Sequence, residues 1–221
     1  MATFSLRAPT TVARRDPGGS LEALSGLRRA TQAAHRTLED DSPLLREEVT
    51  LATYGAYLRA ISPLVASAES FVVSCAPHLS WSGYDFDAVC RHGHLEADLA
   101  HLGPSTGPEQ TSFDAGRAAY ERALAAHPSV AGRLGVLYVL EGSTLGGQLL
   151  CRHLRRVLRL APRQMRYLFG HGRATGSRWR ATCALLNATL QTPRWRGEAC
   201  AAANTTFRLF AGASGGVRVE R

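Results

Sequence analysis

The sequence predicts an all-α, single-domain helical bundle. Three observations carry that prediction. Apolar residues recur at three- and four-residue spacing through nearly the whole chain. No alternating stretch is long enough for a useful strand. No repeat or linker divides the 221 residues, and that length suffices for one domain with a sizeable core.

The elements follow in order. Residues 1–19 read as a flexible leader that ends at Gly18-Gly19 and lacks the apolar core of a secretory signal. Ser20 is placed to cap a helix over 21–40, where Leu24, Leu27, Thr31, Ala34 and Leu38 form one seam. Thr50 caps a second helix over 50–75, with Pro63 expected to kink or break it. A third helix is expected over 85–101, a loop over 103–110 and a fourth helix over 112–126. Ser129 opens a long helix over 130–159. Shorter helices fit 163–169, 177–190 and 195–210. The domain is read as 20–210, and 211–221 as a flexible tail.

Composition narrows the function classes. The formal charge is +8, yet all 26 basic residues are arginine. Together with the abundant alanine this reads as coding bias, so nucleic acid is not expected as a partner. No apolar run approaches the roughly 18 residues of a membrane span, so no membrane partner is expected either. The five cysteines are odd in number and contain no CxxC, which fits a reducing cytoplasm. No HExxH pair, phosphate loop or flavin or nicotinamide fingerprint occurs, so no bound flavin or NAD is expected. Trp81, Trp179 and Trp195 are assigned to packing.

The stretch LYVLEGSTLGGQLL (137–150) needs explanation, because Gly142, Gly146 and Gly147 each cost about 1 kcal/mol against alanine inside a helix. At 3.6 residues per turn Gly135, Tyr138, Gly142 and Gly146 fall along one stripe with few side chains. Two readings stand. The stripe admits a closely crossing helix, or it admits a flat ligand, with the glycines also permitting a bend. On the first helix Arg28, His35 and Glu39 share a face. His35 can offer a ring nitrogen to a metal while Glu39, one turn on, holds the other nitrogen's proton. The alternative is a half-buried histidine with an i, i+4 carboxylate.

LRRATQAAHRTLE (27–39), followed about a hundred residues later by LYVLEGSTLGGQ (137–148), resembles the haem oxygenases. The likeness is closest to the bacterial, biliverdin-producing branch, including members paired with bacteriophytochromes. The resemblance implies haem between the first helix and a kinked glycine-rich distal helix. It makes His35 the proximal iron ligand and Glu39 the acid beside it. It places Gly142, Gly146 and Gly147 on the distal wall with Tyr138, and Arg28 toward a haem propionate. Arg178 and Arg180, with Arg173, are further propionate candidates. Gly142, Ser143 and Gly146 would surround the reacting oxygen. Many members carry an aspartate where this chain has Ser143, so water must be ordered differently, unless the serine only bonds back to the preceding turn.

The chemistry implied is conversion of haem with O2 and electrons to biliverdin, CO and Fe2+. A single imidazole leaves the sixth iron position open for O2. Backbone in place of side chains lets O2 lean toward the ring edge. Electrons would come from an external donor, a ferredoxin or a reductase, and the product could pass to a bacteriophytochrome. Arg152, Arg155 and Arg159 form a stripe that either docks such a donor or compensates the helix dipole. Two other functions fit the same residues: a haem-binding or haem-sensing protein without turnover, and a non-haem helical protein of the same fold.

Overall fold

A computed structural model describes residues 22–103 and 109–217, and among these every regular element is helical. The expected leader, the Ser20 cap and part of the 103–110 loop lie outside the described residues. The helices are α1 (Glu22–Asp40), α2 (Leu51–Val73), α3 (His92–Leu102), α4 (Glu109–Ala125), α5 (Val130–Leu158), α6 (Arg166–Phe169), α7 (Thr175–Thr189) and α8 (Pro193–Gly215).

α5 is the spine. It packs against α8, α7, α2 and α6, with Leu134, Leu137, Leu140 and Leu154 fully buried. Ser129 starts it as expected, its hydroxyl accepting from the Gly132 N–H at 3.0 Å. By length and apolar composition α5 would qualify as a membrane span, contrary to the sequence reading. Most of that stretch is covered by the other helices, as in the core helix of a bundle. Thr50 caps α2 on the Thr53 N–H at 3.1 Å. α2 continues unbroken through Pro63. Gly116 of α4 faces that proline, so the ring has room. After α2 the chain bends by 61° into a short 3-10 segment, Ala76–Ser82.

Several boundaries differ from expectation: α4 starts at Glu109 rather than 112, α6 at Arg166 rather than 163 and α7 at Thr175 rather than 177. α3 begins at His92 rather than 85, because the Glu69 carboxylate of α2 accepts the Arg91 and His92 N–H groups at 2.8 and 3.0 Å. Residues 87–89 form a separate 3-10 turn before it. Asp98 holds α6 in the same way, accepting from the Arg166 and Tyr167 N–H groups, both at 2.9 Å. Burial raises the pKa of both carboxylates. α8 starts at Pro193 under a Thr192 cap and runs to Gly215, past the boundary expected at 210. Its extra turns are held by packing, with Phe210 and Ser214 buried.

Candidate functional site

α1 and α8 lie side by side and point the same way. Glu22 pairs with Arg196 at 3.0 Å, Asn204 Nδ2 donates to the Ala30 carbonyl at 3.1 Å, and His35 meets Phe207 edge-on with ring centroids 5.5 Å apart. α5 joins them. Its Gly135 meets α8 at Ala199, and its Tyr138 lies close to Thr31 of α1. His35 follows Thr31 by one turn on α1, and Gly142 follows Tyr138 by one turn on α5.

His35 is 53% exposed. Its Nδ1 lies 3.3 Å from a Glu39 carboxylate oxygen, and its Nε2 has no partner among the described residues. A carboxylate at that distance favours the tautomer with the proton on Nδ1, which leaves Nε2 able to offer a lone pair. Arg28, also exposed, stands close enough to Tyr138 and Cys183 to act on both electrostatically.

The glycine stripe proves to be three environments. At Gly135 a Cβ would collide with the Ala199 carbonyl oxygen, so this glycine serves the α5–α8 crossing. At Gly142 a Cβ would meet the Trp179 indole at 3.6 Å, an ordinary contact. At Gly146 it would meet nothing within 4 Å. Gly147, expected on the ligand wall, is buried instead against α6, where a Cβ would strike the Leu168 carbonyl oxygen. The packing reading therefore holds at Gly135 and Gly147, where helices meet, while Gly142 packs on Trp179 and Gly146 faces open space. Gly135→Ala is expected to cost about 2–3 kcal/mol through overpacking. Gly146→Ala should add up to about 1 kcal/mol through helix propensity. Thermal melts shifting in opposite directions would bear this out, and equal shifts would refute it.

Trp179 packs as expected, on Tyr138 with ring centroids 5.7 Å apart and over Gly142. Trp81 and Trp195 are 64% and 42% exposed, which corrects their assignment to packing. They flank a cavity of about 310 Å³ at the N-terminal ends of α5 and α8, away from the stripe.

Ser143 is exposed, and its hydroxyl donates to the Leu140 carbonyl at 2.7 Å. It bonds back to the preceding turn, as one of the two sequence readings had it. Thr144 does the same to Glu141 at 2.6 Å, and Arg91 Nη2 donates to Leu140 at 3.0 Å. The carbonyls at the start of the glycine segment are thus held by side chains, while α5 remains one continuous helix.

Arg178 departs from its expected role. It turns inward, 11% exposed, and its Nε donates to Glu141 Oε1 at 2.9 Å. Its guanidinium lies 4.2 Å from the centre of the Tyr84 ring. Glu141, 1% exposed, also receives the Tyr84 hydroxyl at 3.3 Å and His171 Nε2 at 3.0 Å. Burial lowers the His171 pKa, which keeps the ring neutral and its Nε2–H a donor to the carboxylate. The sequence reading missed this cluster. Its signal was present: Glu141 is the one charged residue in the run 134–147. Arg180 remains exposed on α7 and available to an anion.

Comparison with known proteins gives a consistent family and fold. The family model described as Heme oxygenase matches residues 21–213. The heme oxygenase from Leptospira interrogans superposes with a TM-score of 0.72 at 19% identity, covering 88% of this chain and 99% of that one. Heme oxygenase-1 from Synechocystis sp. PCC6803, solved in complex with heme, gives 0.72 at 17% identity over 87% of this chain and 90% of that one. The Neisseria meningitidis heme oxygenase gives 0.66 at 22% identity, covering 91% and 96%. A domain of unknown function with a heme oxygenase-like fold, from Shewanella denitrificans, gives 0.68 at 15% identity, covering 88% and 91%. A search of curated proteins finds no match.

Proposed function

Because the chain belongs to the haem oxygenase family, we propose that it binds haem through His35 and opens the ring with O2 and donated electrons. The products would be biliverdin, CO and Fe2+. The observation that supports this reading is the pair of features on α1 and α5. An imidazole beside Glu39 stands on one helix and a glycine segment open at Gly146 on the other, and the two helices approach each other at Thr31 and Tyr138.

The residues present fit such a ligand. His35 would hold the iron through a ring nitrogen, and Glu39 would set which nitrogen that is. Gly146 leaves backbone where a flat ring needs close approach. Trp179 and Tyr138 supply an aromatic edge. Arg28 and Arg180 are exposed cations suited to carboxylates of the ring. Bound haem supplies the redox chemistry; the protein contributes ligation, orientation and exclusion of water. Ser143, whose proton is committed to Leu140, can still accept a hydrogen bond from a water near the open wall.

Electrons would enter from an external ferredoxin or reductase. We place the chain in the biliverdin-producing branch, whose product suits a bacteriophytochrome. All five cysteines are unpaired, in keeping with a reducing compartment such as the cytoplasm.

The test is direct. Haemin is added to the protein and the spectrum recorded, then reductant and O2 follow. The expected result is a Soret band that decays as the red absorbance of a bile pigment rises. A stable Soret band would leave a haem-binding protein without turnover. The absence of any Soret band would leave a non-haem member of the fold.

A further inference from the structure

At 100° per residue, Gln148 and Arg155 fall roughly on the opposite side of α5 from Gly142 and Gly146, and Arg152 lies about a quarter turn away from Gly142. They face a cleft of about 400 Å³, closed on its other side by the turn that carries Arg173 and by the start of α7. The cleft lining includes three arginines and no acidic residue. Among the described residues none of the three has a carboxylate partner; the arginine ion pairs there engage Arg117, Arg178, Arg194 and Arg196.

The backbone adds to the same field. α7 is 15 residues long, and its N-cap is Ala174, which supplies no side-chain acceptor. At Gly176 the positive end of its dipole reaches a cleft already lined by cations, beyond the Thr175 N–H, which the Gly172 carbonyl of the preceding 3-10 turn accepts. The turn before it is held in place, since Gln148 Nε2 donates to the Gly172 carbonyl at 3.0 Å. The floor is apolar: Met165 is fully buried, and Phe169 leaves 42% of its surface exposed beside the arginines.

We propose that this cleft binds a small polyanion bearing two or more phosphate or carboxylate groups, at a site separate from the glycine wall. Three guanidiniums around one concavity repel one another until a multivalent anion joins them, and arginine forks suit phosphate and carboxylate oxygens. The concave shape and apolar floor favour a small molecule over an extended acidic protein surface. The division also separates the sequence-predicted arginine stripe. Arg152 and Arg155 line the cleft, whereas Arg159 ends the helix in a left-handed conformation outside it.

The test uses the full chain without haem, so its outcome is independent of the haem-binding reading. Pyrophosphate and citrate are titrated by calorimetry at low salt. At least one should bind, with affinity falling as salt rises, and the tighter of the two identifies the phosphate or the carboxylate source. Arg155→Gln and Arg173→Gln should each weaken binding about tenfold. Arg156→Gln removes the same charge from an exposed position outside the cleft and should leave binding unchanged. Thermal melts establish that the variants fold, and pyrophosphate or citrate should raise the melting temperature of the unmodified chain. Lack of binding by both anions would overturn the proposal. So would equal weakening by Arg156→Gln, or binding of poly-glutamate in place of both small anions.

Discussion

Replacing His35 with alanine is expected to abolish axial ligation of haem, leaving no sharp Soret band on titration with haemin and no bile pigment after reduction in O2. The expected loss is complete because the other histidines nearest α5 are already engaged: His153, on the same face of α5, has its Nε2 3.2 Å from the Arg46 carbonyl. His171 faces Glu141, and His92 faces Ser62 with its Nε2 at 2.9 Å. Folding should be spared, since His35 is half exposed and surface changes of this kind cost within about 0.5 kcal/mol. Glu39→Gln is the graded companion. It keeps a hydrogen-bonding group beside Nδ1 but removes the charge, and should weaken haem affinity about tenfold. An unchanged Soret band in His35→Ala, with an unchanged melting temperature, would remove His35 from the site.

The second large effect is expected at Glu141. Alanine there leaves the Arg178 guanidinium and the His171 ring buried without their shared acceptor. Breaking a buried ion pair from one side costs about 3–5 kcal/mol. For a chain of this size that lowers the melting temperature by about 10 °C. Glu141→Gln retains an acceptor oxygen for one of the donors and should lose less. The same change should reach the ligand wall, because Trp179 follows Arg178 directly and packs over Gly142. Its fluorescence and the haem affinity are therefore expected to move together with stability. A melting temperature within a degree or two of the unmodified chain would show that the carboxylate carries no such weight.

The site was legible to different depths at different residues. His35 and Glu39 could be read because both lie on one helix, four residues apart, where helical geometry alone brings them together. The Ser129 and Thr50 caps were legible for the same local reason. The glycine stripe was visible as a pattern, but its use was not. Gly135, Gly142, Gly146 and Gly147 look alike in sequence, and only the neighbours crossing each one separate packing from open surface. Arg178 and Arg180 likewise differ by two positions, which turns one inward to Glu141 and leaves the other in solvent.

By itself the sequence determined the helical class, the capped starts of α2 and α5, and the presence of a histidine–carboxylate pair and a glycine-rich helix. Each of these depends on interactions within a few residues: capping, periodicity and one-turn neighbours. The tertiary structure alone decided where α3 begins, how far α8 runs, which glycines remain open and which arginine Glu141 captures. Those outcomes depend on groups far apart in the chain, such as Glu69 with Arg91, Ala199 with Gly135 and Arg178 with Glu141. Their free energy comes from burial and desolvation, which exist only once the helices have packed.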